Sequence, residues 1–138
     1  MRVLVVAVGN VLRGDDGVAH AVLGLAHADA LALAQLTPEV AEQIALYATV
    51  IFVDADAGAA DLRIETVEEL SSAPSFSHAS TPAEIVALSR SLFGFRGRAL
   101  LCRIPAHDFS AGEGLSPRTR ALAARAKAEL DALLGGVT

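Results

Sequence analysis

The stretch "RVLVVAVG", residues 2–9, is apolar at every position after its arginine. A strand with one face on a core alternates apolar and polar side chains. One that is apolar throughout has to be covered on both faces, which points to a central strand of a parallel sheet with helices on either side. The loop that follows, "GNVLRGDD" (9–16), delivers Asp15 and Asp16 to the end of that strand. A glycine loop between a strand and a helix is usually a phosphate cradle, because the helix start offers free N–H groups and a positive dipole end. Here two carboxylates stand where the phosphate would go and would repel it. The glycines at 9, 14 and 17 fit neither G-x-G-x-x-G nor the Walker loop, and the Walker lysine is absent.

The remainder of the chain alternates apolar runs with helix-like segments, the rhythm of an α/β domain. A helix is predicted from Asp15 or Asp16 to about His27, and a weaker, alanine-rich strand over 30–36. "TPEVAEQIALY" (37–47) has a helix start in Thr37 and Pro38, and "TVIFVDA" (49–55) is the next strand. "DLRIETVEE" (61–69) alternates like a half-exposed strand, and 71–81, which carries His78, is loop by composition. "STPAEIVALSRSLFG" is a helix ending at Gly94. "RALLCRIPA" (98–106) is a strand, and a Ser116-capped amphipathic helix closes the chain. The expected fold is a three-layer α/β/α sandwich with a mostly parallel twisted sheet of about five strands, one domain over residues 1–138.

Charge and cysteine content narrow the partners. Eleven basic against sixteen acidic residues, with no basic stripe, argue against nucleic acid. No run approaches the roughly 18 apolar residues of a membrane span, and the short N-terminal run lacks the small-residue cleavage site of a signal peptide. Cys102, the single cysteine, lies in an apolar run and reads as a buried thiol of a cytoplasmic protein.

In open parallel sheets ligands bind beyond the carboxyl ends of the strands. Asp15 and Asp16 follow the first strand and Asp54 ends the third, so the carboxylates approach one another if those strands are neighbours. A histidine from the loop 71–81 would complete a site for a borderline divalent ion such as Ni²⁺ or Zn²⁺. Plainer roles compete. Asp15 or Asp16 would serve as a helix cap, and Asp54 or Asp56 would cap the turn before Gly58. Gly9, Gly14 and Gly17 permit tight turns or let a substrate backbone approach. Asn10 holds the loop through its amide or contacts substrate. His20 and His27 read as exposed or helix-end residues, while His107, beside Asp108, is the one substitute for His78.

"GNVLRGDDGVA", "QLTPEVAEQIALYATVIFVDADAG", "SHASTPAEIVALSRSLFG" and "GEGLSP" together resemble the hydrogenase maturation endopeptidases, which process the large subunit of [NiFe] hydrogenases. The resemblance spans nearly the whole chain and departs from the family where Ala19 replaces a second glycine. It implies a metal held by Asp16, Asp54 and His78, with Asp16 and Asp54 also catalytic and Gly9, Asn10, Asp15 and Gly17 forming the substrate loop. It also implies an enzyme that inspects nickel already inserted in a large-subunit precursor and then removes a C-terminal extension. The nickel belongs to the substrate, and no tightly bound cofactor is expected in the isolated enzyme. The alternative is a non-catalytic binding or chaperone module for the same metal-loaded precursor. HExxH and G-x-S-x-G are both absent, so the usual zinc and serine protease signatures offer no rival mechanism. A larger spore-type protease of similar architecture is disfavoured by the compact chain.

Overall fold

In the computed structural model, which describes residues 2–25, 27–67, 80–110 and 112–135, the N-terminal apolar run forms β1 (Val3–Val8). It is followed by a 3₁₀ helix (Gly14–Val22), β2 (Asp29–Leu33), α1 (Val40–Ile44), β3 (Thr49–Asp56) and β4 (Arg63–Thr66). The chain ends with α2 (Pro82–Leu92), β5 (Arg98–Pro105) and α3 (Pro117–Gly135). The five strands form one sheet in the order β2-β1-β3-β5-β4. Its first four members are parallel, and β4 runs antiparallel along β5 at the edge.

Side chains alternate across each strand, and both faces of the central strands are buried. Val5 and Ala7 of β1 point with Ile51 and Val53 toward the 3₁₀ helix and α3, where they meet Val18, Val22, Ala126 and Leu130. Leu4 and Val6 point the other way, with Val50 and Phe52, onto Val40 and Ile44 of α1 and Ile85 and Val86 of α2. This is the expected three-layer sandwich, and the continuous apolar content of β1 follows from its central place. Cys102 is buried between layers. Burial first, and the Glu129 charge second, push its thiol up to about 12, leaving it an inert core side chain. Among the described residues no helix is long and apolar enough to cross a membrane.

Two helices differ from expectation. The segment after β1 winds as a 3₁₀ helix that stops at Val22 rather than near His27; Leu23 is extended and Gly24 takes φ +89°. Its start is pinned from outside, since the N–H of Gly14 donates to Gly112 and that of Asp15 to Asp108. The stretch 37–47 is helical in winding but α-helical only over Val40–Ile44, because i→i+3 bonds dominate at both ends. β2 and β4 are also shorter than the runs that announced them. α2 behaves as its signals require. Thr81 and Glu84 form a capping box, and Gly94 at φ +69° lets Phe95 N–H return to the Ser89 carbonyl.

Candidate active site at the carboxyl edge of the sheet

β1 and β3 lie side by side with Val8 opposite Asp54, and the chain goes from β1 to β2 on one side and from β3 to β4 and β5 on the other. The crevice between diverging connections is the ligand position of open α/β sheets. The loop 9–16 and Asp54 both open into it.

The loop is held by its own polar groups. Asn10 N–H donates to Asp16 Oδ2 at 2.9 Å, and the Asn10 side-chain oxygen accepts the Leu12 N–H at 2.9 Å. Asn10 therefore holds the loop, the first of its two expected roles. His20, read from the sequence as an exposed or helix-end residue, is half-buried, with Nε2 2.8 Å from the Gly9 carbonyl. Two glycines are needed for backbone crossing. A Cβ on Gly9 would lie 2.0 Å from the Asp16 carbonyl oxygen, and one on Gly17 2.7 Å from Val11 Cα. Gly9→Ala is expected to destabilise the fold by about 3 kcal/mol through this backbone collision, measured by urea denaturation. A loss under about 0.5 kcal/mol would show that the loop relaxes freely.

Asp16 is half-buried, and its Oδ2 accepts the Asn10 N–H. Asp54 opens to solvent at the strand end, yet enough protein walls its carboxyl to push its pKa up to about 6. Desolvation is the largest cause. The Ala55 N–H, 2.9 Å from Oδ1, pulls the other way, the charges of Asp16 and Asp56 add to the rise, and Arg103 opposes it. The turn before Gly58 is capped by Asp56, whose Oδ1 accepts the Gly58 N–H at 2.9 Å. Asp54 is thereby relieved of that structural task.

The Asp15 side chain turns inward from the loop. It is fully buried, and its carboxylate is occupied from several directions. Oδ2 accepts the N–H groups of His107 and Asp108 and the hydroxyls of Ser116 and Thr119, and Oδ1 accepts the Ser116 N–H, all at 2.7–2.8 Å. Burial alone would raise its pKa. The donors of Ser116, Thr119, Asp108 and His107 outweigh burial and hold the carboxyl well below the usual range. Asp15 thus braces Ser116, whose Oγ accepts the Thr119 N–H at the start of α3, and pins the loop after β5 against the loop after β1.

His78 lies outside the described residues. Among the described residues no three His, Cys, Asp or Glu side chains group to hold a metal ion. The Asp16 charge contributes to the rise at Asp54, and a positive charge beside the Asp54 carboxylate would oppose that rise. The His107 Nδ1 is 3.2 Å from Thr119 Oγ1, and its backbone N–H donates to Asp15 Oδ2. The Asp15 hub and its partners Ser116 and Thr119 were not legible beforehand. The only hint in the sequence was the helix-start pattern at Ser116.

No protein-family model and no curated protein sequence matches the chain. Solved structures do. The hydrogenase maturating endopeptidase HybD from E. coli superposes with a TM-score of 0.80 at 21% identity, covering 99% of this chain and 94% of that one. The [NiFe] hydrogenase maturation protease HycI from Thermococcus kodakarensis KOD1 gives 0.73 at 20% identity, covering 97% and 92%. The hydrogenase 2 maturation peptidase from Thaumarchaeota archaeon SCGC_AB-539-E09 gives 0.68 at 21% identity, covering 98% and 99%. Across nearly its whole length, the chain has the single-domain α/β fold of the hydrogenase maturation endopeptidases.

Proposed function

We propose that this protein is a hydrogenase maturation endopeptidase that removes the C-terminal extension of a nickel-loaded [NiFe] hydrogenase large-subunit precursor in the cytoplasm. The observation that carries this reading is the placement of Asp16 and Asp54 together at the switch point of a fold shared with such peptidases over 99% of the chain. Asp16 and Asp54, with His78, would receive the nickel that the precursor brings. A metal held there would polarise the scissile carbonyl or activate water. The chain's own part is to hold the two carboxylates in register. Asn10 N–H and Ala55 N–H each fix one carboxylate oxygen, and the crossing at Gly9 and Gly17 keeps the loop close to the strand end.

The test is the mass of candidate large-subunit precursors, nickel-loaded and nickel-free, after incubation with the protein. Loss of a C-terminal peptide from the loaded form alone is the expected result. Tight association without cleavage would instead make the protein a binding module for the precursor. Equal cleavage of both forms would remove nickel recognition from the proposal.

A further inference from the structure

His20 sits in the last turn of the 3₁₀ helix, an element fixed to the sheet by the buried side chains of Val18, Ala19 and Val22. Its ring is half-buried, with Nε2 2.8 Å from the carbonyl oxygen of Gly9. A carbonyl has no proton to give, so Nε2 is the donor. The neutral ring with its proton on Nε2 and the imidazolium both make this bond, which is therefore the same in either charge state.

The Gly9 carbonyl and the Asn10 N–H belong to one peptide unit. A trans peptide is planar, and its C=O and N–H point in opposite directions. The unit thus accepts from His20 at one end and donates to Asp16 Oδ2 at the other, at 2.9 Å. The units on either side have anchors of their own. The Gly9 N–H donates to the Leu33 carbonyl at 3.0 Å, and the Asn10 carbonyl accepts the Arg13 N–H at 3.1 Å. Among the described residues, the Gly9–Asn10 unit is tied only to His20 and Asp16.

Without a donor on its oxygen this unit is free to turn over. The flip needs opposite rotations at Gly9 ψ and Asn10 φ, and Gly9 has no Cβ to oppose its share. Turned over, the unit would present the Gly9 oxygen to the Asp16 carboxylate, oxygen against oxygen, where the Asn10 N–H now stands. A donor on the carbonyl also polarises the unit and strengthens the N–H donation at its far end. We propose that His20 is a positioning residue for the candidate site: its Nε2–H locks the Gly9–Asn10 peptide in the orientation that aims the Asn10 N–H at the Asp16 carboxylate. Its effect on cleavage rests on the peptidase reading above; the orientation of the peptide does not.

The experiment joins ¹H–¹⁵N NMR of the full-length protein with steady-state cleavage of the nickel-loaded precursor. In the wild-type protein His20 Nε2 is expected to carry a proton, and the Asn10 amide proton to resonate downfield and exchange slowly, as a carboxylate-bound N–H does. His20→Leu keeps bulk and removes the donor. It is expected to move the Asn10 amide upfield, speed its exchange and lower kcat/KM about 10-fold, the size of effect seen when a group that orients a ligand side chain is lost. His20→Gln, whose amide nitrogen reaches the place of Nε2, is expected to recover most of both. A merely structural role would instead make kcat/KM follow melting temperature and leave His20→Gln no better than an equally stable His20→Leu. An Nε2 without a proton in the wild-type protein overturns the proposal even if His20→Leu does not fold. So does a His20→Leu variant whose Asn10 amide or kcat/KM stays at the wild-type value, or a His20→Gln variant that shows no rescue. Wild-type protein that cleaves no precursor overturns the peptidase reading, and the hold of His20 on the Asn10 N–H is then decided by the two NMR signals alone.

Discussion

Asp54→Asn is expected to cut precursor cleavage by about 10³-fold or more, roughly 4 kcal/mol of transition-state stabilisation, while leaving the protein at least as stable at pH 7. Both halves follow from one carboxyl. Its folded pKa, pushed up to about 6 by desolvation first and by the Asp16 and Asp56 charges, exceeds the ordinary 3.8. A group whose pKa rises on folding favours the folded state below its unfolded pKa, and that contribution is lost as pH rises through the folded pKa. At neutral pH the ionised Asp54 therefore works against folding. Asparagine keeps an oxygen for the Ala55 N–H and removes the charge. Thermal melts of both proteins from pH 4.5 to 8 check the sign: the advantage of the variant should grow as pH rises toward 6 and level off above it. Asp16→Asn should move the Asp54 titration toward the ordinary value by removing a like charge, and should also abolish cleavage. Near wild-type cleavage by either variant would take the chemistry away from this edge of the sheet. Retaining a destabilising charge is the usual signature of function competing with stability.

How much of this was legible in the sequence depended on how far away each partner lay. The apolar run of β1 announced a strand covered on both faces, and the rule that ligands sit beyond parallel strand ends placed Asp16 and Asp54 together once β1 and β3 were neighbours. α2 was legible because its capping box and Gly94 are local chemistry. The first helix was not, because what tightens it comes from elsewhere: the carbonyls of Asp108 and Gly112, nearly a hundred residues on, take the N–H groups of Asp15 and Gly14. Asp15 misled for the same reason. Beside Asp16 in the sequence it looks like the second half of a carboxylate pair, yet its donors lie 92 to 104 residues away. Local pattern cannot separate a carboxylate aimed at solvent from one aimed into the core when the two are adjacent. The Asp54 and Asp56 ambiguity had the same form and was resolved by the Gly58 turn, which takes Asp56.

The same conservative replacement should have the opposite effect one residue before Asp16. Asp15→Asn is expected to destabilise the protein by about 3 kcal/mol, on the scale of leaving buried donors unsatisfied, and to lower the melting temperature by about 10 °C for a domain of this size. Every group that touches this carboxylate is a donor: three backbone N–H groups and the hydroxyls of Ser116 and Thr119. Whichever way the amide is turned, its NH₂ confronts at least one backbone N–H, because Oδ1 and Oδ2 both accept from the main chain. The hydroxyls can rotate away; the N–H groups of His107, Asp108 and Ser116 cannot without moving the loop after β5 and the start of α3. The pH dependence is also reversed from that of Asp54. Since the folded pKa of Asp15 is depressed below the ordinary 3.8 by its donors, its contribution is present above about pH 4 and is lost as pH falls toward the folded value. Urea denaturation of the wild type and of Asp15→Asn at pH 7 and at pH 3 should show the difference between them shrinking at the lower pH. A variant as stable as the wild type at pH 7 would mean that the hub is dispensable. A pH-independent deficit would mean that packing around Asp15, rather than its charge, holds the two loops together.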